Sequence, residues 1–259
     1  MRIKSLPNAL GGILLSILCT MALQVGAAEK PYLEAQLQKT VDTTEGSLRI
    51  LVFEGNDNTS FYEAPETSLP AVTELQKKVR EQVVDTDPYA LLKRQQNLFV
   101  RVGYTEFLPR FDLVMSKKIY SMSLLEQALL EIHSQVMKKP LFNSYSEFGA
   151  NVLVKEQKIA IIFTSNESDA MVPDSKTRRQ FLQKFLDAGY TYKFHIHNHP
   201  FNFDNPSKDI GGTTIPSGNH EFGDVGTYLD ENKNLGLQNA WITNGFSSLH
   251  IPASEFSDY

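Results

Sequence analysis

Apolar residues recur along this chain with two different periods, and the two kinds of segment alternate. Leu48 to Phe53 (LRILVF) is an almost unbroken apolar run of strand length, expected to be buried. A polar stretch follows, Gly55-Asn56-Asp57-Asn58-Thr59-Ser60 and then Pro65, Ser68 and Pro70, which reads as a loop. Ala71 to Val84 then carries Val72, Leu75, Val79 and Val83 on one side, the spacing of an amphipathic helix. A short helix over Ala90–Gln96 and a strand over Leu98–Val102 are expected next.

From about residue 122 the pattern is more regular. Ser123 can cap a helix running to about Lys139, with Leu124, Leu125, Ala128, Leu129, Ile132 and Val136 facing inward. Phe148–Val154 and Ile159–Phe163 read as two strands joined by the polar turn Lys155-Glu156-Gln157-Lys158. A helix from Asp174 ends near Gly189, and Tyr190–His197 forms the next strand. After a loop rich in Asn, Pro and Gly over 200–222, a short helix from Asp224 and strands near Ala240–Thr243 and Ser248–Ile251 complete the pattern. Helices alternating with strands predict an α/β or α+β layer, regular in the C-terminal half and mixed in the N-terminal region.

The first 28 residues fit an export signal. Arg2 and Lys4 supply charge, Ala9–Val25 is nearly all apolar, and Gly26-Ala27-Ala28 offers small residues for cleavage. The apolar run is short for a membrane span, which needs roughly 20 residues. The expected organisation is therefore a signal peptide over 1–28, a region of unassigned role over 29–121 and a chemistry-bearing domain over 122–259. The mature protein is expected to be periplasmic or secreted, with no stable membrane span. Cys19 is the only cysteine and lies inside the signal, so the mature chain has neither disulfides nor thiolate chemistry. A formal net charge of -5, with no basic run, argues against nucleic acid as a partner.

Candidate chemistry gathers at Tyr192-Lys-Phe-His-Ile-His-Asn-His-Pro200, which holds three of the six histidines. In a strand, residues two apart share a face, so His195, His197 and His199 point the same way, and Pro200 ends the strand. Two imidazoles so placed can reach one ion at about 2.0–2.1 Å. A third ligand is expected downstream, from Asp204, Asp209, His220 or Asp224.

His197-Asn198-His199-Pro200, followed by a Pro-Ser pair and a helix-leading aspartate, resembles the JAMM (MPN+, JAB1-like) zinc metalloprotease motif. The likeness covers about residues 122–252. The resemblance implies zinc on His197, His199 and an aspartate, a serine at the oxyanion, an upstream glutamate as general base, and amide hydrolysis. The substrate so implied is a protein or peptide, including an isopeptide bond to a ubiquitin-like conjugate. The family spacing is not met: Pro206-Ser207 has Asp209 one position early, whereas Pro216-Ser217 stands seven positions before Asp224, with His220 at the family position. Asp224 is taken as the ligand with His220 as rival, Ser217 as the oxyanion residue with Ser207 as rival, and Glu147, just before Phe148, as the base. Glu156 is placed in a solvated turn, and His195 beside or behind the ligands. The alternatives are an inactive JAMM-like binding protein and a His-rich metal carrier using His195, His197, His199 and His220. A metallo-β-lactamase type would need an Asp-His pair directly after the His-x-His, which Asn198-His199-Pro200 does not supply.

Overall fold

The computed structural model describes residues 30–143, 146–166, 175–203 and 211–259. The signal segment 1–28 therefore lies outside the described residues, as do Asp204, Ser207 and Asp209.

The chain runs α1 (Tyr32–Gln36), β1 (Gln38–Glu45), β2 (Leu48–Asn56), α2 (Pro70–Gln82), α3 (Pro88–Val102), α4 (Leu108–Ser116) and β3 (Ile119–Tyr120). It continues through α5 (Leu124–Met137), β4 (Phe148–Lys155), β5 (Lys158–Asn166), α6 (Lys176–Asp187), β6 (Thr191–Asn198), α7 (Gly223–Leu235), β7 (Asn239–Thr243) and β8 (Ser248–Pro252). Among the described residues, eight strands form one mixed sheet in the order β1-β2-β5-β4-β6-β7-β8-β3. Neighbours are antiparallel except β6 and β7, which run parallel with α7 as their crossover. The protein is thus α+β, a mixed sheet flanked by helices.

The period-2 alternation of the strands divides the core in two. Leu51, Phe53, Phe148, Ala150, Val152, Phe194 and Ile196 bury one face of the sheet beneath α1, α2 and α5. Ile50, Val52, Leu153, Ile162, Ala240 and Ile242 bury the other with residues of α6 and α7 and the α4 residues Phe111 and Val114. Strands from before residue 121 (β1, β2, β3) and after it share this sheet, so residues 29–121 build on the same layer as residues 122–259.

Local signals explain most boundaries. Ser123 and Glu126 make a reciprocal capping box at the start of α5. α6 is capped by Ser175, whose side chain accepts from the Arg178 amide; Asp174, the expected start, lies outside the described residues. One expectation is corrected. Leu98–Val102 is not a strand: Asp87 caps α3, Pro88 begins it, and the helix runs unbroken through Val102 to Gly103, which takes the left-handed conformation at φ 86°. Leu91, Leu92, Gln95 and Gln96 are its buried face, and burial at helical spacing outweighs the β-forming tendency of Phe-Val-Arg-Val.

A β-bulge lies in β6, where the register against β4 slips between Val152 and Leu153. It turns Tyr192 onto the same face as His195 and His197, the face that α7 covers. Among the described residues no helix is long and apolar enough to cross a membrane.

Candidate metal centre

Three elements converge at the end of β6. His197 is its penultimate residue, His199 follows it, and Asp224 stands in the first turn of α7. Their donor atoms face one another: Nε2 of His197 and Nε2 of His199 are 3.1 Å apart. Asp224 Oδ1 is 3.4 Å from His197 Nε2, and Asp224 Oδ2 is 3.3 Å from His199 Nε2. Around an ion bound tetrahedrally at about 2.0–2.1 Å, neighbouring donors stand about 3.3 Å apart. These three edges match that figure, and the group is one that can hold a metal ion.

The outer nitrogens of both rings are also engaged. His199 Nδ1 donates to the Thr213 carbonyl at 2.8 Å, so the neutral ring presents its Nε2 lone pair to the cluster. His197 Nδ1 lies 3.3 Å from the Tyr228 hydroxyl. Such second contacts fix the tautomer and orientation of a ligating imidazole.

The loop that supplies Thr213 is held from three directions. Gln95 of α3 donates to the Gly211 carbonyl at 2.5 Å, Asn244 to the Gly212 carbonyl at 2.7 Å, and His199 to that of Thr213. Arg110 of α4 donates to the Pro216 carbonyl at 3.2 Å and to the Tyr259 carbonyl at 2.7 Å. The N-terminal region thus supplies two of the side chains, Gln95 and Arg110, that shape this loop.

Between Ser217 and Asp224 the chain closes on itself. Asn219 donates its amide to the Phe222 carbonyl at 2.8 Å, and Gly218 and Gly223 meet face to face with φ 76° and 71°. A Cβ at Gly218 would stand 2.0 Å from the Phe222 oxygen, and one at Gly223 2.5 Å from the Gly218 Cα. The closed turn returns Ser217 to Asp224, so the seven-residue separation in sequence becomes direct contact. His220 rides on the turn, exposed and outside the donor cluster.

Electrostatics follow from enclosure and charge. Burial of the whole ring pulls His197 below its ordinary value, only partly opposed by Asp224. His199 is also penalised by burial, yet its hydrogen bond to Asp224, the charge of Asp224 and that of Glu147 together raise it to about 9. Burial pulls Asp224 upward, but His197 and His199 hold it well below the carboxylate range. Glu147, half-buried just before β4, is thus near enough for its charge to act on His199 and also on the Tyr228 hydroxyl. Glu156 lies in the β4–β5 turn, exposed, at φ 54°.

His195 belongs to a second buried layer below the His197–His199–Asp224 cluster. Its Nδ1 is 2.7 Å from Glu231 Oε2, to which the Tyr192 hydroxyl also donates at 2.7 Å. Arg178 closes the network with bonds to Glu231 Oε1 at 3.1 Å and Asn151 Oδ1 at 3.0 Å, and Asn151 donates to the Tyr192 hydroxyl. Burial raises Glu231, but the His195 and Arg178 charges overcome it and bring the carboxyl down to about 2. The sequence offered one signal for this layer. Asp224, Tyr228 and Glu231 fall at i, i+4 and i+7 on one face of α7. No periodic signal marks Thr213, whose part is played by a backbone carbonyl.

Family models, curated proteins and solved structures were each compared with this chain, and none matches.

Proposed function

We propose that this chain is an exported zinc-dependent hydrolase that cleaves a peptide or isopeptide amide bond. The observation that carries the reading is the convergence of His197, His199 and Asp224 at tetrahedral spacing, with the charge of Glu147 acting on His199. Two imidazoles and one carboxylate are a donor set that suits zinc, and three protein ligands are the number catalytic zinc sites use. These are the residues to which the resemblance to JAMM metalloproteases assigns the ligand and base roles.

A zinc ion held there supplies a water activated near neutral pH and a Lewis acid for a carbonyl oxygen. Glu147 serves as general base, taking a proton and returning it to the departing amine. Ser217 faces the rim of the site with Oγ beside the Asp224 amide at 3.4 Å. Accepting from that amide leaves its O–H free to donate to a developing oxyanion. The closed turn that carries Phe222, an exposed aromatic residue, borders a cleft between α6 and α7 of about 640 Å³ that reaches Asp224. A cleft of that size is in the ordinary range of ligand-binding pockets.

The test is elemental analysis of the purified protein and of His197→Ala, Asp224→Ala, His220→Ala and Glu147→Gln. One zinc per chain is expected in the parent, in His220→Ala and in Glu147→Gln, and none in His197→Ala or Asp224→Ala. Glu147→Gln is expected to abolish hydrolysis of peptide or isopeptide substrates. Zinc retained by His197→Ala, or lost only with His220→Ala, would sink the reading.

A further inference from the structure

Asn198 stands between the two histidines, and strand alternation points its side chain to the opposite face of the sheet. Its backbone pairs with Thr243 of β7, so the side chain is left to reach across to β4. There Oδ1 accepts from the Phe148 amide at 2.8 Å, and Nδ2 donates to the Ser146 carbonyl at 3.4 Å. The two peptide groups it holds are those on either side of Glu147. The β4–β6 ladder reaches only as far as Gly149 opposite His197, so the side-chain amide extends strand pairing past the end of the ladder.

The amide orientation is fixed by its partners. With Oδ1 and Nδ2 exchanged, a donor would face the Phe148 N–H and an acceptor the Ser146 carbonyl. Asn198 is buried, and the Ser146 carbonyl is further held by His133 Nε2 at 3.0 Å. His133 in turn has Nδ1 2.8 Å from the buried Ser165 hydroxyl. Neither Asp, lacking the donor, nor Ser, too short, can bridge both peptide groups.

We infer that Asn198 is the positioning residue of Glu147, clamping the two peptide bonds that flank it so that the carboxylate meets the metal site from a fixed backbone. The inference rests on the reading of Glu147 as general base at a zinc site. Ligand and base placement are then coupled within one tetrapeptide: His197 and His199 hold the metal while the residue between them sets the base.

The experiment is calorimetric binding of acetohydroxamate to the zinc-loaded full-length protein. A hydroxamate chelates the metal and gives its acidic proton a carboxylate to bond, so its affinity reports where Glu147 stands. Wild type, Asn198→Ala, Glu147→Gln and the double variant form a cycle. Zinc content is expected to stay at one per chain in all four. Glu147→Gln and Asn198→Ala are each expected to weaken hydroxamate roughly tenfold, the scale of one charge-assisted hydrogen bond. In the Glu147→Gln background, Asn198→Ala is expected to cost nothing more. A residue that merely supports the fold would weaken binding equally in both backgrounds, and that result overturns the inference. So does an Asn198→Ala protein that binds hydroxamate as wild type does while Glu147→Gln does not, which leaves the hydrolase reading standing. Unchanged affinity in Glu147→Gln, or a parent without zinc, overturns the reading of the base itself and this inference with it. If Asn198→Ala fails to fold, Asn198→Asp, which keeps the acceptor for Phe148, takes its place in the cycle with the same criteria.

Discussion

The backbone N–H of Ser217 donates to Oδ2 of Asp224 at 2.6 Å, and the Asp224 amide faces Ser217 Oγ at 3.4 Å. The carboxylate is therefore aimed by main chain, and the serine side chain is not needed to hold it. Ser217→Ala is expected to keep its zinc while hydrolysis falls about 10²–10³-fold, the loss typical of one oxyanion donor. Gly218→Ala acts in the opposite sense. Its Cβ meets the Phe222 carbonyl and its left-handed φ is strained, so the turn opens and zinc affinity falls. Metal analysis alongside a hydrolysis assay separates the two; equal zinc loss in both variants would refute the main-chain account.

Zinc binding is expected to release a proton near neutral pH. In the metal-free protein the proton of the ligand group resides on His199, raised to about 9 by Asp224 and Glu147 against the pull of burial. His197, fully enclosed, is neutral there, and Asp224 is ionised. A metal needs the His199 lone pair, so about one proton leaves on binding at pH 7. Apparent affinity grows as pH rises toward 9 and levels off above it, where release declines. Calorimetry in buffers of different ionisation heat counts the protons, and none released at pH 7 would contradict the assignment.

Much of this was legible in the residues, for physical reasons that also mark the gaps. The Leu48–Phe53, Phe148–Val154 and Ile159–Phe163 runs read as strands because both sheet faces are covered, so each is mostly apolar, broken only by Arg49 in the first and Asn151 in the second. β1 carries no hydrophobic signal because it is an edge strand with an almost wholly polar sequence, Gln38–Glu45. The Ser217–Asp224 spacing looked like a misfit because a turn closed by two left-handed glycines has no hydrophobic period. Tyr192 could not be placed beside His195 by alternation, since an even and an odd position share a face only where a bulge intervenes.

Acid is expected to destabilise the protein in two steps. His133 is buried and held neutral, its pKa lowered by burial from 6.5 to about 4. The unfolded chain takes up that proton first, so the stability it contributes is complete above 6.5 and lost as pH falls toward 4, about 3 kcal/mol in all. Glu231 is lowered to about 2, so its contribution is complete above 4.5 and lost as pH falls through 2. Urea unfolding of the metal-free protein between pH 7 and 4 should show a shallower dependence in His133→Gln than in wild type. Glu231→Gln is expected to cost about 3–5 kcal/mol at pH 7, since it leaves Arg178 and His195 facing a neutral amide in a buried layer.

The metal loop should depend on helices that precede the candidate domain. Three successive carbonyls, Gly211, Gly212 and Thr213, each take a side-chain donor from a different part of the chain, and only the last of those donors, His199, belongs to the His197–His199–Asp224 cluster. Gln95 and Arg110 hold this loop from α3 and α4, and the charge of Arg110 also interacts with that of Asp224. Gln95→Leu leaves the Gly211 carbonyl without that donor and lets Thr213 drift from His199 Nδ1. Arg110→Met removes two bonds made by a charged donor, about 1.5–3 kcal/mol each. Both variants are expected to weaken zinc about 10–100-fold, the range for loss of an orienting contact behind a ligand. Competition against a chromophoric chelator measures that directly. Wild-type zinc affinity in both variants would mean that residues 29–121 complete the sheet without shaping the site.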